Sequence, residues 1–271
     1  MTANVYLFLR RKLKFAKLRS LDAIDVVLRR RAPMTPPRVL IEGVGEGDFG
    51  RIGQHLATIA TTAGELTPQG RILDIGCGVG RLAVPLTSYL TTGEYSGFDF
   101  SARAINWCLS HVAVLHPNFW FNHVDLASST YNPRGTLRPE HFSFPCADAS
   151  VDLVFASSVF THLLPAAADH YVAEAARVLK PGCCAMLSFF LLDAAVKSRL
   201  GTLIPSFRYF PEPYYGLANE SEPEAAVAYD VDVVLEALSR RGLQVVRVAR
   251  GGWSGHPDPL SYQDFVVARR T

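Results

Sequence analysis

No apolar run in this 271-residue chain approaches the roughly 18 residues that a membrane-spanning helix needs. Nor does the N-terminus have the order of a secretory signal: its basic residues follow a short apolar stretch, and no small-residue cleavage site comes after. Cysteine is scarce and oddly numbered. Cys77, Cys108, Cys146, Cys183 and Cys184 form no CxxC pair, so they read as thiols kept reduced in a cytoplasmic setting rather than as a disulfide framework. No His, Cys or carboxylate group has the spacing of a metal site, and His162 and His170 stand two helical turns apart, so no metal is expected. Internal repeats and low-complexity tracts are also missing, which excludes solenoids and disordered arrays.

What is present is a globular chain with unevenly spread charge. Residues 1–38 hold ten Lys or Arg against Asp22 and Asp25, whereas the remainder carries 17 basic and 23 acidic side chains. An acidic globule therefore follows a basic leader. As a helix, NVYLFLRRKLKFAKLRSLDAIDVVLRRR would be basic and amphipathic. That suits simple docking on the globule, peripheral contact with an anionic membrane surface, or, least favoured, nucleic acid. Arg31-Ala-Pro-Met-Thr-Pro-Pro37 closes the leader, because proline spacing of this kind cannot continue a helix. The expected organisation is a leader and linker over 1–37 and one domain over 38–271.

After the connector Glu42-Gly-Val-Gly-Glu-Gly-Asp-Phe-Gly50, apolar strands alternate with amphipathic stretches. A helix is expected over 51–63, a strand over 71–75, a helix over 80–90 and a strand over 94–100. A helix over 101–115 precedes strands at 119–125 and 151–158. A further helix over 164–179 leads to a fifth strand at 183–192. Such alternation, with strands apolar nearly throughout, predicts a doubly wound, Rossmann-like α/β fold whose mostly parallel sheet is covered on both faces. The helix at 230–241 and strands at 242–250 and 260–270 complete seven strands. The connector at 251–259 is too short for a crossover helix, so the last two strands should form an antiparallel hairpin. Segments 126–149 and 193–229 fit no βα unit and read as functional insertions.

The first strand runs into Gly76-Cys77-Gly78-Val79-Gly80. Glycines there permit a tight turn and a close approach to a ligand beyond the carboxyl end of the strand. The third glycine comes one residue early for a G-x-G-x-x-G dinucleotide fingerprint. Asp74 occupies a position that is normally apolar in that fingerprint, and Asp99 ends the second strand, where a carboxylate can accept from both ribose hydroxyls. A ligand with a ribose and an amino-acid tail suits this pattern better than NAD.

At this point the sequence resembles the class I S-adenosylmethionine-dependent methyltransferases. The match rests on LDIGCGVGRL, GFDFS, FNHVDL, FPCADASVDLVFASSVFTHL and RVLKPGC in order, with the terminal hairpin, and spans about 70–192 and 230–270. Cys183 departs from it, standing where the family commonly has a second glycine. The YNPRG insertion and the GxWxGxxxxxSYQD ending are further similar to an uncharacterised bacterial subgroup acting on small molecules. The resemblance implies S-adenosyl-L-methionine as cofactor and S-adenosyl-L-homocysteine as product. It implies a cofactor set of Asp74, Gly76, Cys77, Gly78, Gly80, Arg81, Asp99, Phe100, Asp125, Leu126 and Ser157. Within it, Gly76 and Gly78 pass the methionine part, and Asp74 organises the turn and faces the ammonium. Asp99 holds the ribose, Phe100 packs on the adenine, and Asp125 accepts from the adenine amino group beside the Leu126 backbone. Ser157 and Ser158 border the transferred methyl. Arg81 could pair with the cofactor carboxylate; Phe100 as core, Asp125 as a loop cap, Ser157 as a strand-end hydroxyl and Arg81 as a solvated helix arginine remain open alternatives.

An oxygen acceptor needs a base, for which His162 is the candidate; the alternative is a histidine at a helix start bonding locally. No Asn/Asp-Pro-Pro-Tyr follows the fourth strand, which disfavours amino-directed DNA methylation. Pro145-Cys146 lies before that strand, where it cannot attack a base. The aromatic residues Phe207, Tyr209, Phe210, Tyr214 and Tyr215 form a candidate lid, and Arg134 and Arg208 suit an acidic or phosphorylated group. The expectation is a cytoplasmic methyltransferase acting on a sugar, lipid-linked or natural-product hydroxyl. Its rivals are an RNA methyltransferase gripping with the leader and a non-catalytic cofactor-binding module.

Overall fold

The computed structural model describes residues 3–45 and 47–271; Met1 and Thr2 of the expected leader and Glu46 of the expected connector lie outside the described residues. The leader forms one helix, α1 (Ala3–Val27). Its two acids hold the fold-back onto the linker. Asp22 accepts from the Arg31 side chain at 2.7 Å and from the backbone N–H groups of Arg38 and Val39 at 2.9 and 3.2 Å, and Asp25 pairs with Arg38. The short helix α2 (Arg38–Ile41) follows, then α3 (Phe49–Thr62), which starts two residues before the expected position because Asp48 caps it, accepting from Arg51 N–H at 2.6 Å.

Alternation then proceeds through β1 (Arg71–Ile75), α4 (Ala83–Leu86), β2 (Glu94–Asp99), α5 (Ala102–Cys108), β3 (Phe119–His123), β4 (Val151–Ala156), α6 (Pro165–Val178) and β5 (Leu179–Phe189). The helix expected over 80–90 is reduced to α4. Pro85 has no N–H to give the Arg81 carbonyl, and that carbonyl instead lies against Gly53 of α3, where a Cβ would come within 2.3 Å of it. The helix expected over 101–115 is capped by Ser101 and widens into a π-turn over Leu109–Ala113.

Seven strands form one sheet. Numbering the later strands β6 (Leu191–Leu192), β7 (Tyr209–Glu212), β8 (Tyr215–Leu217), β9 (Val227–Asp230), β10 (Leu243–Ala249) and β11 (Asp264–Arg270), the order is β10-β11-β5-β4-β1-β2-β3. Pairings among β1 to β5 are parallel, and β11 lies antiparallel to both β5 and β10, giving the expected hairpin. Strand order reverses between β1 and β4, the position where doubly wound sheets open a crevice. Two apolar layers cover the faces, one built on Leu73, Val154 and Tyr171, the other on Ile72, Tyr95 and Phe155. No helix among the described residues is long and apolar enough to cross a membrane.

The segment 193–229 is more ordered than an open loop. After α7 (Ala194–Lys197) its strands join β6 in a second sheet, β6-β9-β8-β7. The strand expected over 183–192 consequently splits. β5 begins at Leu179, stops at Phe189, and Leu191 is diverted when its N–H donates to the buried Asp264 carboxylate at 2.8 Å. Phe207, expected in a lid, is 1% exposed and packs edge-on against Trp253 and tilted against Phe190 in a satellite core. Tyr215 stacks on Tyr229, while Tyr209, Phe210 and Tyr214 are exposed. Helix α8 (Val231–Arg240), capped by Asp230, returns the chain to the main sheet.

Candidate active site

The glycine turn after β1 adopts left-handed backbone at all three glycines, with φ of +68° at Gly76, +52° at Gly78 and +71° at Gly80. L-residues avoid this region. At Gly76 space is limiting as well, since a Cβ would fall 2.6 Å from Val159 Cγ2. The N–H groups of Gly76, Cys77, Gly78 and Gly80 are already engaged. Gly76 and Cys77 both donate to the Phe98 carbonyl, Gly78 donates to Asp99 Oδ2 at 2.9 Å, and Gly80 donates to the Cys77 carbonyl. The glycines therefore clear room rather than offer donors. Cys77 points inward: its side chain lies where a Cβ on Gly97 of β2 would be, and burial pushes its thiol pKa up. Within the expected set, only its backbone can face a ligand.

Two buried carboxylates flank the turn. Asp74 is 4% exposed and accepts a 2.5 Å hydrogen bond from Tyr95, itself stacked on Phe119. Burial raises the Asp74 pKa to about 7; the Tyr95 hydrogen bond opposes this and the Asp99 charge adds to it. Asp99 is 7% exposed, and its Oδ1 accepts from Ser101 N–H at 2.7 Å. Burial raises its pKa too, against the pull of the Ser101 and Gly78 N–H groups. Each oxygen of Asp99 thus keeps a lone-pair site beyond the one used in fixing the turn.

Arg81 is not the solvated helix arginine of the alternative reading. It is half-buried, donates to the Gly45 carbonyl at 2.7 Å and lies 5.9 Å from the Phe49 ring centroid, while its Nε is buried with no partner. Burial lowers its pKa, and no carboxylate among the described residues pairs with it. A guanidinium with a buried, partnerless N–H suits an anion.

On the far side of the turn, Asp125 caps the first insertion. Its Oδ1 accepts from Asn132 Nδ2 at 3.0 Å, and its Oδ2 accepts from both the backbone and hydroxyl of Thr136, which together hold its pKa down. Leu126 N–H turns back to the Val124 carbonyl at 2.7 Å. The loop-cap alternative thus describes what Asp125 does in this structure, with about one of its four lone-pair sites left over. Phe100 is half-buried, its ring centroid 6.2 Å from that of Tyr131.

His162 closes a single 3₁₀ turn, Phe160–His162, and its contacts are long-range rather than local. Its Nδ1 lies 3.0 Å from the Glu224 carbonyl and 3.1 Å from the Tyr131 hydroxyl. A carbonyl can only accept, so Nδ1 carries a proton and Nε2 keeps the free lone pair of the neutral ring. Burial lowers the His162 pKa, which keeps the ring neutral at pH 7. Glu224 also ties the two insertions together: its Oε2 accepts from Ser128 at 2.8 Å, Ser129 at 2.6 Å and Thr130 N–H at 3.3 Å. Ser157 is half-buried, and its neighbour Ser158 has a left-handed φ of +62°. Pro145-Cys146 lies off this cleft, with the Cys146 carbonyl held by Arg177.

Asp74, Asp99, Arg81 and the glycines thus meet around one turn. Tyr95, Tyr131, Glu224 and Gln263 belong to the same region, and sequence reasoning gave them no role. Tyr131 stands in the YNPRG motif and Gln263 in SYQD, but nothing local marks their long-range contacts.

Residues 72–182 match the protein family described as "Methyltransferase domain". Among solved structures, an S-adenosylmethionine-dependent methyltransferase from Methanosarcina mazei aligns with a TM-score of 0.53 at 20% identity, covering 76% of this chain and 94% of that one. One from Aquifex aeolicus gives 0.51 at 18% identity over 83% and 100% of the two chains. Magnesium protoporphyrin IX methyltransferase from Synechocystis PCC 6803, solved with bound S-adenosylhomocysteine, gives 0.53 at 16% identity over 85% and 92%. At these identities the structures establish a shared fold, the seven-stranded Rossmann-like sheet with antiparallel C-terminal strands. The family match covers the centre of that sheet, so residues 72–182 are similar to a methyltransferase domain, set in a fold shared with S-adenosylmethionine-dependent methyltransferases.

Proposed function

We propose that residues 38–271 form a catalytic unit that methylates a hydroxyl of a small molecule, a sugar, lipid-linked or natural-product acceptor, with His162 as the base. The observation that carries the cofactor part is the buried, partnerless Nε of half-buried Arg81 on the same turn as two buried carboxylates. S-adenosylmethionine has a carboxylate, an ammonium and a ribose diol, and this donor and acceptor set fits all three. Arg81 receives the carboxylate, Asp74 faces the ammonium and Asp99 takes the ribose hydroxyls. Gly76, Gly78 and Gly80 leave room for the tail with the Cys77 backbone beneath. Phe100 covers the adenine edge, near the remaining lone pair of Asp125 and the Leu126 backbone, and Ser157 borders the reacting end. When bound, the cofactor supplies an electrophilic methyl group on a sulfonium.

The protein's work is then to align and desolvate a nucleophile. His162 supports base catalysis because its Nδ1 proton is held by the Glu224 carbonyl, leaving Nε2 to take the acceptor's proton. The two insertions, joined through Glu224, wall the acceptor side. Calorimetric titration with S-adenosylhomocysteine tests the cofactor assignment. Asp99→Ala should weaken binding by about 100-fold, as expected for losing hydrogen bonds to a charged group. An unchanged affinity in that variant removes Asp99 from the site.

One observation favours a membrane-presented acceptor. The acids of α1 are turned into the linker, while Leu13, Ile24, Val26, Val27 and Leu28 are exposed on a segment also carrying Lys17, Arg19 and Arg30. Exposed apolar residues among cations suit the headgroup region of an anionic bilayer.

A further inference from the structure

The start of β11 carries Gln263-Asp264, the end of the SYQD motif, and the two side chains reach in different directions. Asp264 is fully buried and anchors the backbone. It accepts from Leu191 N–H at 2.8 Å, Gly251 N–H at 2.7 Å and Trp253 Nε1 at 2.7 Å. With its neighbour fixed in this way, Gln263 extends toward the carboxyl end of β4. Its Oε1 accepts from the Ser188 hydroxyl at 2.7 Å, and its Nε2 donates to the Ser158 hydroxyl at 2.8 Å and, more weakly, to Thr161 at 3.4 Å. The Ser188 oxygen accepts in turn from the Ser158 N–H at 2.7 Å. Ser188 and Thr161 are wholly buried, so they have no water to replace a lost partner.

This network closes around a strained residue. Ser158 has φ of +62°, a conformation that L-residues avoid and that persists only where its surroundings hold it. That conformation sets the course of the chain into the site. Val159, the next residue, sits over Gly76 in the space a Cβ there would need, and His162 comes three residues later on the same turn.

We propose that Gln263 is a positioning residue for methyl transfer: through Ser158 and Ser188 it holds the turn 157–162 against the glycine turn, setting the distance between the cofactor and His162. It touches neither reactant and acts through the turn alone. The proposal rests on the cofactor reading, and its test separates the two.

Gln263→Met preserves length and volume while removing every hydrogen bond, and Gln263→Glu keeps an acceptor toward which the Ser158 and Thr161 hydroxyls can rotate to donate. Two measurements are made on the full chain: hydrogen–deuterium exchange of the 157–162 amides without ligand, and calorimetric affinity for S-adenosylhomocysteine. Gln263→Met should raise exchange across that turn by about 10-fold or more, the loosening expected when a partly buried hydrogen-bond set is lost. It should weaken binding by a similar factor while circular dichroism remains native, and Gln263→Glu should recover most of both. Unchanged exchange at 157–162 overturns the holding role. Faster exchange with unchanged affinity overturns the link to the cofactor and leaves Gln263 a stability residue. If the wild type binds no S-adenosylhomocysteine, the cofactor reading fails and the transfer role with it, while exchange still decides whether Gln263 holds the turn.

Discussion

Cofactor affinity should depend on pH through Asp74. Free, its carboxyl group titrates at about 7 because it is buried beside Asp99, against a usual value of 3.8. Placing the ammonium and sulfonium of S-adenosylmethionine nearby favours the ionised form, so binding expels a proton wherever the free carboxyl still holds one. With a free pKa near 7, about one molecule in ten is ionised at pH 6 and about nine in ten at pH 8, so apparent affinity should rise about tenfold across that interval. Stability runs the opposite way. A carboxyl raised in the folded state contributes stability below about pH 4 that is lost as pH climbs through 7, on the order of a few kcal/mol for a shift of this size. Asp74→Asn should therefore be more stable than wild type at pH 8, provided Tyr95 keeps an acceptor, and should lose the part of the pH dependence that Asp74 supplies. Calorimetry at pH 6, 7 and 8, in buffers of different ionisation enthalpy, reads affinity and proton release together. A wild-type affinity that stays constant from pH 6 to 8, with no proton released, would refute the reasoning.

Once an acceptor is found, His162→Gln should lower kcat by about 10²- to 10⁴-fold, the usual worth of a positioned base, and leave S-adenosylhomocysteine affinity within a factor of two by calorimetry. An equal loss in both would make His162 part of the cofactor site instead. Phe207→Ala should cost about 3–5 kcal/mol in chemical denaturation, because the ring fills a buried cluster and not a movable lid; a cost below about 1 kcal/mol would return it to the surface. Sedimentation with vesicles containing about a third anionic lipid should capture the protein at low salt and release it as salt rises, with little capture by neutral vesicles. Leu13→Asp combined with Val27→Asp should abolish capture, and equal capture by neutral vesicles would remove the electrostatic part of the argument.

The elements that were legible in the sequence are those whose identity is set by local chemistry. β1 and β4 read correctly because parallel strands buried on both faces are mostly apolar, and the glycine turn because left-handed backbone demands Gly76, Gly78 and Gly80. Asp48 and Pro85 moved helix ends for reasons also written locally, a cap and a missing donor, but their effect depends on α3 and α4 meeting at Gly53. The second sheet was not legible, since strands of two to four residues interrupted by Pro211 and Pro213 have too little alternation to count. The burial of Phe207 depends on Phe190 and Trp253, distant in sequence. The same limit applies to the candidate site. Asp74, Asp99 and His162 could be singled out by position, but the tautomer of His162 is set by a carbonyl 62 residues away, and the worth of Arg81 lies in a neighbour it lacks.

The carboxylate of Glu224, shared by three donors from residues 128–130, has a consequence for how this enzyme could change what it acts upon. Segments separated by nearly a hundred positions are joined at one point, and His162 leans on the same residue's backbone. A chimera that imports only one of the two insertions from another methyltransferase would strand either a carboxylate or two serines, and exchanging the second would also move the carbonyl on which the imidazole leans. New acceptor specificity in this scaffold should therefore be transplanted as a matched pair of loops, and libraries that randomise one insertion at a time will sample mostly broken sites.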